Sequence, residues 1–133
     1  MQESLVFCMA GSSKFKAQHR TVERALTFAG HVVLPLVIYS KSESLYIAPD
    51  QETTLVEVWK KKCDLCDYVC VIAPDGYIGD HTKGDITYAL SHHKKIISVP
   101  SDFASAIVEQ VPGMTADDII TLKELGREGQ VSI

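Results

Sequence analysis

Leu5 to Ala10 form an unbroken apolar run that Gly11-Ser12-Ser13 stops. A run of that kind, with no polar member, predicts a strand buried on both faces, as a parallel sheet requires. The period then changes. Over residues 14–29, Phe15, Val22, Ala25, Leu26 and Ala29 recur at helical spacing with Lys, Gln, Arg and Glu between them, and Gly30 supplies a C-terminal stop. His31 to Ile38 is apolar and β-branched and predicts a second strand. Pro35 marks its end or an irregularity, because proline cannot donate to a sheet ladder.

Residues 39–51 keep no period and predict a loop; one that long in a compact domain often carries function. Helical spacing returns from Glu52 to Cys66 through Leu55, Val58, Trp59, Cys63 and Cys66. Tyr68 to Ala73 predicts a third strand. From about Thr82, Ile86, Ala89, Leu90 and His93 line one face of a third helix, and Lys95 to Pro100 predicts a fourth strand. Beyond it, Phe103, Ala106, Ile107 and Val108 predict a short helix, and Val111-Pro112-Gly113 a turn. Thr115 with Asp118 reads as a capping box opening a last helix through Glu124, with frayed residues after 126.

Strands alternating with helices predict an α/β fold, a three-layer Rossmann-like or flavodoxin-like sandwich around a mostly parallel sheet of four to five strands. The 133 residues fit a single domain, 1–133. In such sheets the ligand crevice lies outside the C-terminal strand edges. If strands one and three are neighbours, Gly11-Ser12-Ser13 faces the loop that follows the third strand.

That loop is where polar chemistry concentrates. Between Val69 and Leu90 the chain reads VCVIAPDGYIGDHTKGDITYAL, with Asp75, Asp80 and Asp85 set among Gly76, Tyr77, Gly79, His81 and Thr82. Each has a local explanation: Asp75-Gly76 makes a turn, and Asp80 or Thr82 caps the next helix. Asp85 is placed in the first helical turn, where the helix dipole and free amides would keep it ionised. An ionised carboxylate with a second acid nearby is the minimum for glycosidic chemistry, one as nucleophile and one protonating the leaving group. Across the crevice, Gly11, Ser12 and Ser13 suit a phosphate or a sugar hydroxyl, or Ser12 and Ser13 simply cap a helix. Neither G-x-G-x-x-G nor a P-loop is present.

Charge and cysteine content narrow the partners. A net charge of −4 offers no basic field for a phosphate backbone, so nucleic acid is not an expected partner. The longest apolar stretches are far short of a membrane span and the N-terminus lacks a signal-peptide layout, so a cytoplasmic protein with no membrane partner is expected. Cys63 and Cys66 form a C-x-x-C, but at the end of a predicted helix, where the dipole opposes thiolate formation. Cys8 and Cys70 fall inside strands. With no second C-x-x-C or His pair, no metal and no cofactor are expected. His92 and His93, adjacent on a helix, point apart and predict one packed and one solvated ring.

The opening VFCMAGSS, the helix near Thr21 to Gly30, the strand DYVCVIAPDG and GDITYAL before a basic strand together resemble the nucleoside 2-deoxyribosyltransferases. They are also similar to their relatives, the 2′-deoxynucleoside 5′-phosphate N-hydrolases, over roughly residues 5–100. The resemblance implies cleavage or transfer at the N-glycosidic bond of a deoxynucleoside or its 5′-phosphate. Asp85, where that family carries Glu, would be the nucleophile. Asp80 or Asp75 would orient the sugar or handle the proton, Gly11, Ser12 and Ser13 would line the sugar or phosphate end, and Tyr77 would stack on the base, with Gly76 and Gly79 in the same loop. It also implies a homodimer or higher homo-oligomer. The alternative reading is a non-catalytic module of the same fold that senses a nucleotide or related small ligand.

Overall fold

Four strands, all parallel, run side by side in the order β2-β1-β3-β4, in a computed structural model that describes residues 4–37 and 47–121. They are β1 (Val6–Gly11), β2 (Val32–Leu34), β3 (Tyr68–Ile72) and β4 (Lys95–Val99), and the helices are α1 (Lys16–Phe28), α2 (Pro49–Leu65), α3 (Asp80–Ser91) and α4 (Ala104–Gln110).

The unbroken apolar runs follow from burial on both faces. Successive side chains of a strand point to opposite sides, so Phe7 and Met9 join Val22 and Leu26 of α1 on one side of the sheet. Cys8 and Ala10 join Trp59 of α2, Ile86 of α3 and Ile107 of α4 on the other. The expected α/β sandwich is therefore observed, with helices on both faces. β1 and β3 are direct neighbours, paired from Phe7 with Tyr68 to Gly11 with Ile72, so their C-terminal ends open together.

Element ends differ from the sequence pattern where a cap or an edge decides them. β2 is an edge strand of three residues rather than His31 to Ile38, because Pro35 has no N–H to extend the ladder. Ile38 and residues 39–46 of the expected loop lie outside the described residues, and residues 49–51 belong to helix. α2 starts at Pro49, where a missing N–H costs nothing, and Gln51 Oε1 accepts the Ala48 N–H at 2.9 Å. The first helix opens with a separate 3-10 turn, Ser13–Phe15.

α3 starts at Asp80, with Gly79 rather than Asp80 or Thr82 at the cap, and ends at Ser91. His93 therefore leaves the helical face expected for it, with φ at +62°, and both histidines are exposed. His92 stacks on Tyr88 with ring centroids 4.0 Å apart, which replaces the expected packed ring.

Thr115 and Asp118 do pair, the Thr115 N–H donating to Asp118 Oδ2 at 2.8 Å, but they close a single 3-10 turn rather than open a helix. Ile119 then pairs in parallel with Ile96, and the Ile120 N–H donates to the Ile96 carbonyl at 2.9 Å, covering the open edge of β4. Residues 122–133 lie outside the described residues. Among those described, no helix is long and apolar enough to cross a membrane.

Candidate active site

Gly11 ends β1 with φ at +124°, and a Cβ there would sit 2.5 Å from the Ile72 carbonyl oxygen of the neighbouring strand. Only glycine lets the two strand ends lie this close while the chain turns outward. Ser12 then accepts the Lys14 N–H on its hydroxyl at 3.2 Å, so it caps the 3-10 turn as well as facing the crevice. Its carbonyl accepts from His19 Nε2 at 3.2 Å; burial holds that imidazole below its ordinary range.

A cleft of about 340 Å³ opens at this edge. Gly11, Ser12 and Ser13 form one side, and Gly79, Asp80, His81, Thr82 and Asp85 the other. The third wall is apolar, with Leu36 and Val37 after β2 and Leu55, Val58 and Trp59 from α2. Two hydrogen bonds fix that wall. The Trp59 indole N–H donates to the Met9 carbonyl at 2.9 Å, and Lys62 Nζ donates to the Pro35 carbonyl at 2.7 Å.

Asp85 is the acid this architecture buries: its side chain is 12% exposed. α3 begins at Asp80, so Asp85 is the sixth residue of the helix, beyond the first turn where free amides and the dipole act. Burial pushes its carboxyl up to about 6, while His81 and Lys60 pull it down. The expectation that the helix terminus would hold it readily ionised is thus corrected, desolvation being the larger effect. His81 Nε2 lies 4.0 Å from Asp85 Oδ2, one helical turn away.

The remaining sequence candidates divide. Asp80 borders the cleft, but its carboxylate is fully exposed and leans on Lys83 at 3.8 Å. Asp75, Gly76 and Tyr77 do not line the cleft. Asp75 Oδ1 accepts the Tyr77 N–H at 3.1 Å in a local turn, and Tyr77 stands 63% exposed outside the cavity. Gly76, at φ +76°, lies under the Phe103 ring, where a Cβ would come within 2.6 Å of a ring carbon. Gln110 of α4 clamps this loop, donating to the Gly76 carbonyl at 2.7 Å and accepting the Ile78 N–H at 3.1 Å. These residues shape the loop that delivers Gly79 and α3.

The pattern along the chain missed the apolar wall and Lys62, because nothing local shows that α2 leans over the strand ends. The spacing of His81 and Asp85, four apart on a helix, did carry a signal of their contact.

The C-x-x-C lies at the end of α2 as expected, and Cys8, Cys63, Cys66 and Cys70 are all buried and free. Cys8 and Cys63 are held up chiefly by hydrogen bonding to Cys66, whose thiol those bonds lower, and burial alone pushes Cys70 up to about 12. Among the described residues no group of three His, Cys, Asp or Glu side chains is arranged to hold a metal ion.

No family model matches the sequence, and no curated protein matches it. Among solved structures the fold is similar to a 2-deoxyribosyltransferase from the psychrotolerant bacterium Bacillus psychrosaccharolyticus, with a TM-score of 0.54 over 70% of each chain and 12% sequence identity. Likeness at that identity establishes a shared fold.

Proposed function

We propose that the protein cleaves or transfers at the N-glycosidic bond of a deoxynucleoside or its 5′-phosphate, with Asp85 as the carboxylate nucleophile. The observation that carries this reading is a nearly buried carboxylate at the C-terminal edge of the sheet, in a cleft of nucleoside size. The fold is one that also serves a 2-deoxyribosyltransferase.

The lining divides by chemistry in a way that matches the substrate class. Leu36, Leu55, Val58 and Trp59 offer an apolar wall for a planar base. Ser12, Ser13 and the start of α3 offer hydroxyl and amide groups for a sugar hydroxyl or phosphate. Asp85 attacks the anomeric carbon, the bond to the base breaks, and the glycosyl ester passes to water or to another base. Aspartate is one methylene shorter than the glutamate of the family it resembles, so the sugar must sit correspondingly deeper toward α3.

Incubating the protein with deoxynucleosides and their 5′-monophosphates, followed by chromatography, tests the reaction. Release of free base is the expected result. Thermal stabilisation by the same compounds without any base released would overturn it in favour of a ligand-binding module.

A further inference from the structure

We infer that His81 is the acid–base residue of this site, giving a proton to the departing base and taking one from the incoming nucleophile. This rests on the reading of Asp85 as nucleophile and adds the second group that such a reaction needs.

Of the acids the sequence offers for that role, Asp80 is turned into solvent on Lys83, and Asp75 is occupied in its own turn outside the cleft. His81 alone among the described titratable side chains pairs with the Asp85 carboxylate, at 4.0 Å. Retaining glycosidases hold their two working groups about 5–5.5 Å apart. The His81 ring is 71% exposed, so a small rotation provides the added space for a sugar between the two.

The surroundings of the pair support the same assignment. A second cavity, of about 310 Å³, lies between α2 and α3, bordered by Val56, Lys60, Gly84 and Tyr88 as well as His81. His81 and Asp85 border both cavities, as do Trp59 and Asp80, so the pair stands where the inner cleft meets a second opening. Gly84 is an interior helical residue with no heavy atom within 4 Å of an added Cβ, so packing does not require glycine there. It leaves the space one turn from His81 open for a leaving group. Of the other charges nearby, Lys60 also acts on Asp85 but lies 3.6 Å from Glu57, and Lys62 donates to the Pro35 carbonyl.

The step balances without a co-reactant. An Asp85 oxygen forms a bond to the anomeric carbon as the carbon–nitrogen bond breaks. The electron pair of that bond goes to the base, which takes the proton from the His81 imidazolium. Water or a second base then attacks the ester, His81 accepts its proton, and the Asp85 carboxylate is released.

The test compares His81→Gln with the wild type on a deoxynucleoside and on p-nitrophenyl 2-deoxyriboside, whose phenolate leaves without a proton. The variant is expected to lose about 100- to 10,000-fold in kcat/KM on the nucleoside. It should fall far less on the nitrophenyl substrate. An equal loss on both substrates, or nucleoside cleavage within about tenfold of the wild type, overturns the assignment. Asp85→Asn should lose both substrates, so the two failures are distinct: nitrophenyl cleavage that survives Asp85→Asn overturns the nucleophile, whatever His81→Gln shows.

Discussion

Burial raises the Asp85 carboxyl from 3.8 to about 6, and this bears on stability as well as on reactivity. The folded state binds the proton more tightly than the unfolded chain does, so stability from this group is fully present below about 3.8 and lost as pH rises through about 6. A shift of this size corresponds to an order of 3 kcal/mol at neutral pH. Asp85→Asn removes the buried charge, so its melting temperature should exceed that of the wild type at pH 7.5, with the gap closing near pH 4. Thermal melts across that range check it; a lower melting temperature at pH 7.5 would show that the charge is well compensated. The same group predicts that kcat/KM climbs with pH through about 6 as the nucleophile ionises. At this scale the sequence singled out Asp85 as a candidate, from GDITYAL, but not its environment. The error came from starting α3 at Thr82, which put Asp85 among free amides that Gly79, Asp80 and His81 in fact occupy.

Gly84 shows how an element can trade stability for space. Interior glycine costs a helix about 1 kcal/mol relative to alanine, and an added Cβ at 84 meets nothing within 4 Å. Gly84→Ala should therefore stabilise the fold by up to about 1 kcal/mol, read from denaturant midpoints at unchanged slope. It should also raise KM for the nucleoside, since the methyl projects into the cavity beside His81. α2 offers the reverse case: Trp59→Phe keeps the apolar wall but removes the indole hydrogen bond to the buried Met9 carbonyl, leaving it the weak Cys8 thiol contact at 3.9 Å. A loss of about 1–3 kcal/mol in the same denaturation measurement is expected. The periods that define both helices were legible because apolar residues recur every three to four positions. Their ends were less so: Pro49 sets one start through its missing N–H, and Pro35 cuts β2 short. The last expected helix failed for a tertiary reason, because the free edge of β4 recruits Ile119 and Ile120 into pairing that no local propensity reveals.

Across the whole molecule, the order β2-β1-β3-β4 makes a site from two distant stretches, Gly11-Ser12-Ser13 and Gly79 to Asp85. Their convergence was readable once strands and helices alternated, because parallel strands send every following loop to one edge. The closing wall was not, since it depends on how α2 crosses that edge and on Trp59 finding the Met9 carbonyl just past the end of β2. The homo-oligomer implied by the sequence resemblance is an expectation that light scattering checks: a multiple of 14.6 kDa is expected, and a monomer mass would count against it. The central claim is that Asp85 forms the bond to the sugar. Initial rates of base release by wild type and Asp85→Asn, measured side by side at pH 7.5 on a deoxynucleoside the wild type cleaves, test it most directly. A fall of at least about 1,000-fold, about 4 kcal/mol in the barrier, in a variant that remains folded is the predicted result. Base release by Asp85→Asn at the wild-type rate would contradict it.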